Sequence, residues 1–416
     1  MAEALHRRVL LARSVAVMSA PAALGACETL TRQPAVPRER TAQASVLGLP
    51  NERFYFLTDP LALDREFQAA LQRYAAFRQL RPGSAIPPVS VLAVSGGGED
   101  GAFGAGLLCG WTTTGARPEF GLVTGVSTGA LTAPFAFLGP DYDGALRDVY
   151  TNITLKDVAV DRGLIRGVFG DAMADTAPLL TTISRHLDEA MLAKLADAYD
   201  QGRLLLIGST NLDAQIPVVW NVGAIAKAGA QGGDSRALPL IRKILVASAA
   251  VPGAFPPVMI DVELDGQKYQ EMHVDGGAFA QAFLYPAAIG EARQARRRSG
   301  QRVVDVRAYL IRNARLDSGW ASVDRRTMGI VGRAISTMIF ASGGNDVIRM
   351  YTRARADGVD FNLAYIGPDF TTELKSPFEQ SYMRTLFDYG FQHGKAGGEW
   401  VKVPPFLDPA NRRPAS

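Results

Sequence analysis

Ser127, in Gly125-Val-Ser127-Thr-Gly129, is the residue of this 416-residue chain best set to act as a nucleophile. An apolar run over 122–126 breaks there, and helix-forming residues resume at Thr128. A sharp strand-to-helix elbow lifts a serine hydroxyl clear of its own backbone, and the strain of the turn demands small flanking residues such as Gly125 and Gly129. Such a hydroxyl also needs a site for the oxyanion it generates. One β-α unit earlier, a strand-like run leads into Gly96-Gly97-Gly98-Glu-Asp-Gly101. Consecutive glycines let several backbone N–H groups point one way, at a helix N-terminus whose dipole favours an anion. Losing one oxyanion donor costs about 3 kcal/mol of barrier. The same glycines satisfy G-x-G-x-x-G, the dinucleotide fingerprint. That reading needs an acidic residue at the end of the second strand; Glu119 precedes its strand, and Glu99 and Asp100 would crowd a pyrophosphate with negative charge. With no G-K-[ST] sequence after the glycines, a P-loop is weaker still. No cofactor or metal is expected.

A serine hydroxyl needs a base. The chain has four histidines: His6, His186, His273 and His393. His6 falls in an amino-terminal targeting segment, His186 reads as a mid-helix surface residue, and His273 as a strand-end neighbour of Asp275. His393 completes the order Ser127, Asp275, His393, which is the α/β-hydrolase order, although it reads as a helix end. The other base is Asp275 itself, at a strand terminus before Gly276 and Gly277. An aspartate, with an ordinary pKa of about 4, serves as base only if it is held against the hydroxyl and shielded from water.

These residues need a scaffold. Alternating strand and helix patterns predict an α/β domain with a mostly parallel central sheet. Strands are expected at 88–95, 203–212, 216–222, 303–311 and 359–366, with a hairpin about Asp265-Gly266. Helices are expected at 59–81, 128–138, 175–199, 238–250, 286–298, 326–355 and 378–393. The glycine loop is followed by another helix, to about 114. The basic run from Arg293 to Arg302 reads as a solvated helix end.

Hydrophobic residues make up 47% of the chain and charged residues 20%, a globular balance. The formal net charge is +3, of which Arg7, Arg8 and Arg13 against Glu3 supply +2, so nothing points to a nucleic-acid partner. Arg7 and Arg8 precede an apolar stretch that ends in Leu24-Gly-Ala-Cys27. This has the form of a signal peptide over 1–26 closing on a lipobox, with Cys27 as the acylated first residue of a membrane-anchored lipoprotein of a bacterial envelope. Residues 27–50, with Pro34, Pro37 and Pro50, read as a tether, 51–87 as a helical extension, 88–402 as the main domain and 403–416 as a tail. Cys109, the other cysteine, reads as a core residue.

Four blocks together resemble the patatin-like phospholipases. Gly96-Gly97-Gly98-x-x-Gly101 resembles their oxyanion loop and Gly125-x-Ser127-x-Gly129 their nucleophile elbow. Ala247-Ser-Ala-Ala-Val-Pro-Gly-Ala-Phe-Pro-Pro257 resembles their Ala-Ser…Phe-Pro block, and Asp275-Gly276-Gly277 their D-G-[AG] motif. The resemblance implies a three-layer fold and a Ser–Asp dyad with no histidine. It also implies cleavage of lipid acyl esters through an acyl-enzyme, with the oxyanion held by the glycine loop. The family usually carries Arg or Lys just before the last glycine of that loop, where this chain has Asp100. An anion there opposes the oxyanion unless its carboxylate turns away or is paired. A Ser127–Asp275–His393 esterase, or an inactive lipid-binding lipoprotein, are the alternatives.

Overall fold

The computed structural model describes residues 32–408, apart from 56, 82, 83, 85, 162–173, 286, 321 and 399. Cys27 and the signal segment lie outside the described residues, as do residues 409–416 of the tail.

In chain order the elements are β1 (Arg53–Phe54), α1 (Pro60–Phe77), β2 (Val89–Val94), α2 (Gly101–Thr113), β3 (Phe120–Val126), α3 (Thr128–Leu138), α4 (Asp143–Thr151) and α5 (Leu155–Val158). Then come β4 (Val160–Asp161), β5 (Ala174–Asp175), α6 (Ala177–His186), α7 (Glu189–Asp200), β6 (Leu204–Asn211), β7 (Ile216–Asn221), α8 (Val222–Ala230) and α9 (Ala237–Ser248). The chain continues through β8 (Val258–Leu264), β9 (Gln267–Asp275), α10 (Ala287–Arg298), β10 (Val306–Arg315), α11 (Thr327–Asp357), β11 (Asp360–Ile366) and α12 (Gln380–Lys395).

Among the described residues nine strands make one sheet, ordered β1-β7-β6-β3-β2-β10-β11, with the β8–β9 hairpin attached to β6. The pairs β6–β3, β3–β2, β2–β10 and β10–β11 are parallel. Both faces of the sheet are buried, so its central strands are apolar throughout rather than alternating. On β2, Leu92 and Val94 enter a core shared with α2, α3, α9 and α12, whereas Val91 and Ala93 enter a second core under α1 and α11. This is the expected α/β architecture, with a mostly parallel sheet between helical layers.

The expected helix over 175–199 is two helices. Asp188 leaves helical geometry, and its side chain accepts from the Met191 N–H to start α7, so a cap overrides a continuous apolar face. The strand expected over 303–311 begins at Val306 and runs on to Arg315.

Residues 32–50, read as a tether, lie instead against the β8–β9 hairpin. Arg32 pairs with Asp213 at 2.8 Å, Gln270 N–H donates to the Pro34 carbonyl, and Ser45 bridges Glu263 in antiparallel fashion. Val36 and Ala44 are buried, which the polar composition of the segment concealed. The next residues add β1 to the sheet edge. Arg53 meets Glu271 of β9 at 2.6 Å, and Glu271 in turn meets the His273 ring at 3.0 Å, all three buried. Breaking a buried pair from one side typically costs about 3–5 kcal/mol. Arg53→Met should therefore lower stability by roughly that amount, read as a lower urea midpoint with unchanged slope.

Candidate active site

Ser127 follows β3 directly and caps α3, with φ 56° and ψ −129°. A non-glycine residue in this region is strained by about 1–3 kcal/mol and persists only where its surroundings hold it. They do so in two ways. The Ser127 N–H donates to Ser248 Oγ at 3.1 Å, and that hydroxyl donates to the Gly208 carbonyl at 2.6 Å. Gly129 packs so closely on β2 that a Cβ would overlap the Val94 carbonyl, and one at Gly125 would stand 2.5 Å from the Gly129 carbonyl oxygen. The elbow expected from the sequence is thus present, with both glycines required by backbone approach.

Strand pairing brings in Asp275. Strand β3 pairs with β6 only as far as Val126 opposite Gly208. From Ser209 onward β9 takes over that edge of β6, with Asp275 opposite Ser209. The end of β9 therefore abuts the end of β3. The Asp275 N–H donates to the Ala250 carbonyl at 2.9 Å, and its Oδ1 accepts from Gly277 N–H at 2.7 Å. Burial pushes the Asp275 carboxyl up to about 6, against the opposing pull of the Ser127 hydroxyl and the Gly277 N–H. Ser127 thus lies within electrostatic reach of the carboxylate without closing a hydrogen bond of good geometry, and Oδ2 is buried with no partner. A base loosely engaged before substrate arrives is compatible with proton transfer.

The glycine loop lies beside Ser127. A Cβ on Gly96 would come within 3.1 Å of Ser127 Cβ, and one on Gly97 would overlap the Asn313 carbonyl. Gly96, expected as an oxyanion donor, gives its N–H to the Gln281 carbonyl at 3.1 Å and is withdrawn from that set. Among the described residues, the N–H groups of Gly97 and Gly98 have no protein acceptor. Gly98 has φ 58° and open space where a side chain would stand. Gly101 starts α2 against Thr128, so the N-termini of α2 and α3 meet here and both dipoles favour an anion. A Cβ on Gly276 would stand 2.5 Å from the Gly208 carbonyl oxygen, and one on Gly277 2.6 Å from Gln281 Nε2 and 3.0 Å from Asp275 Oδ1.

Asp100 does turn away from the loop. Its carboxylate accepts from the Tyr382 hydroxyl on α12 at 2.6 Å. Burial pushes it up to about 6, and Arg312 and Arg315 act in the opposite sense.

His273 and His393 stay apart from Ser127. Both ring nitrogens of buried His273 are engaged, by Ser209 at 2.9 Å and Glu271 at 3.0 Å. On α12, His393 lies next to Gly394, which packs on Leu107 and Trp111 of α2. Those residues are six and ten positions past Gly101, or ~9–15 Å along the helix from the site. His393 approaches Asp369 at 3.9 Å and the Tyr389 ring at 4.3 Å. The order Ser, Asp, His is therefore not matched in space. His186 ends α6 rather than sitting mid-helix, and it is half-buried, lining the same cavity as Ser127.

That cavity, of about 90 Å³, opens at Gly98, Ser127 and Thr128 and runs between Leu131, Phe135, Ile183, Met191 and Leu245. Its walls are almost wholly apolar. Well-formed small-molecule pockets typically run to about 300–1,000 Å³, so a long chain would have to part these side chains to enter.

Ser248, Ser95 and Asn313 were not singled out from sequence, although each holds the site. Ser248 was visible inside the Ala-Ser block. Asn313 carried only the weak signal of a polar residue closing an apolar strand.

Residues 92–288 match the family model of the patatin-like phospholipases. Over that span, a little under half of the chain, the sequence is similar to the patatin-like phospholipase domain. The match supports lipid acyl hydrolysis as the class of activity. No curated protein matches the sequence. Among solved structures the chain is similar to VipD from Legionella pneumophila, at 12% identity over 78% of this chain and 70% of that one, with a TM-score of 0.35. So loose a likeness carries no further argument.

Two outcomes test the geometry. Because the Asp275 carboxyl is raised to about 6, labelling of Ser127 by a fluorophosphonate should rise with pH through that value. The limb should persist in Asp100→Asn and vanish with the reaction in Asp275→Asn. Stability should move oppositely. A carboxyl raised in the folded state favours folding below its unfolded pKa and loses that contribution as pH rises through about 6. Asp275→Asn should therefore stabilise the protein by up to about 3 kcal/mol at pH 8 and little at pH 4, read from urea midpoints at the two pH values.

Proposed function

We propose that the protein is a serine acyl hydrolase of lipid esters, with Ser127 as nucleophile and Asp275 as base. The observation that carries this reading is the raised, half-partnered Asp275 carboxylate beside the strained Ser127. Buried and near pKa 6, it is ionised at neutral pH yet basic enough to draw the hydroxyl proton. Ser127 Oγ adds to the ester carbonyl and its proton passes to Asp275. The N–H groups of Gly97 and Gly98, with the α2 and α3 N-termini behind them, receive the oxyanion. The intermediate collapses, the leaving alkoxide takes the proton from Asp275, and an acyl-enzyme remains. Water then attacks with Asp275 again as base, releasing the fatty acid and free serine.

The apolar cavity beyond Ser127 supports a hydrocarbon chain as the acyl group, in a phospholipase A, lysophospholipase or esterase reaction. We further propose that Cys27 carries lipid and holds the enzyme at a membrane surface of the cell envelope. Among the described residues no helix is long and apolar enough to cross a membrane.

Ser127→Ala should abolish fatty-acid release from phospholipid and lysophospholipid vesicles, a loss on the order of 10³-fold or more. His393→Ala should keep near-full activity; loss of activity there would favour a triad. A folded wild type that neither labels at Ser127 nor releases fatty acid would leave a lipid-binding protein instead. Leu131→Trp should shift the preferred chain to shorter acyl groups while short-chain esters still turn over, measured as the ratio of kcat/KM for C4 and C16 esters. Cys27→Ala should move the protein from the membrane to the soluble fraction on cell fractionation.

A further inference from the structure

Arg312 is a buried cation that no carboxylate among the described residues neutralises by direct pairing. It stands near the end of β10 at 3% exposure. Among the described residues it forms no ion pair; Asp346 and Asp100 act on it only through space. Its Nη1 lies 3.3 Å from Ser95 Oγ and 3.4 Å from the Gly96 carbonyl oxygen, and its Nε has no partner. Burial pulls its pKa down to about 10, so it stays charged at neutral pH. Sequestering a guanidinium this way costs stability that an apolar residue on the same strand would not.

What it faces explains the expense. The Gly96 carbonyl belongs to the same peptide group as the Gly97 N–H, and in a trans peptide the two point in opposite directions. Ser95 Oγ donates to that carbonyl at 2.7 Å, and the Asn313 N–H donates to Ser95 Oγ at 2.9 Å. Asn313 also holds the Ser95 carbonyl through Nδ2 and the Gly104 N–H through Oδ1, so it clasps the loop on both sides. The carbonyl end of the peptide is thus fixed against a cation, and its N–H end projects away with no protein acceptor. Charge at one end of a hydrogen-bonded peptide strengthens donation at the other.

Resting on the reading of Ser127 as nucleophile, we propose that Arg312 is a positioning residue for the oxyanion, acting through the Gly96–Gly97 peptide. It makes Gly97 a stronger donor and supplies, from β10, positive potential to a loop that itself carries only Glu99 and Asp100. It touches neither substrate nor the reacting atoms.

The test compares wild type, Arg312→Gln and Arg312→Lys on a soluble short-chain ester, with Ser127→Ala as reference and thermal unfolding for each. Arg312→Gln should lower kcat by roughly 10- to 100-fold, less than loss of a direct oxyanion donor, with KM within about twofold because ground-state binding is untouched. Arg312→Lys should recover most of the loss. Affinity for a trifluoromethyl ketone, whose adduct bears the oxyanion, should fall in Arg312→Gln by the same factor as kcat/KM. Unchanged kcat in Arg312→Gln, while Ser127→Ala is dead, would overturn this proposal alone. So would an equal loss in the Gln and Lys variants that follows their unfolding temperatures. Full activity in Ser127→Ala would overturn the nucleophile reading and this proposal with it.

Discussion

The site depends on a change of partner along one strand. Strand β6 pairs with β3 up to Gly208 and with β9 from Ser209, so the ends of β3 and β9 share one edge within a residue of each other. Ser127 and Asp275, 148 positions apart in the chain, meet there because both strands stop at that point. The junction is locked by a single side chain, since Ser248 donates to Gly208 and accepts from Ser127. Two residues later, the Ala250 carbonyl accepts from Asp275. One helix end thereby holds the backbone of both groups.

The glycines follow from this crowding. At Gly97, Gly125, Gly129 and Gly276 the neighbour is a backbone carbonyl, which cannot move aside as a side chain can. Electrostatics are equally constrained. Asp275, Asp100 and Arg312 are each displaced from their ordinary pKa chiefly by burial. Such displacements gather where folding has been made to hold charges it would otherwise exclude. The amino-terminal residues belong to the same arrangement. By tying Glu271 to Arg53 and Ser45 to Glu263 they brace the hairpin that ends in Asp275.

The fold class was legible because the central strands are long apolar runs separated by helical periodicity. The elbow and the glycine loop were legible because both are local, each being a strand end, a tight turn and a helix start within a few residues. The role of Gly96 was not. Whether a given N–H is available depends on Gln281, 185 positions away. Nor was the packing of residues 32–50, whose polar composition hides two buried apolar residues and a bridge to Glu263. His186 and His393 were ambiguous for a related reason, since one-dimensional order says nothing about distance along a helix packed elsewhere.

By itself, then, the sequence determined the elements and the chemistry each could offer: a serine on an elbow, glycines at a helix start, an aspartate at a strand end. Those are properties of short segments, set by sterics and backbone hydrogen bonding over a turn or two. Only the tertiary structure decided which groups meet, which N–H groups remain free, and that Asp100 turns to Tyr382 while Arg312 comes to the loop. Burial and pairing depend on strand register and on neighbours more than a hundred residues away, and no local pattern encodes them.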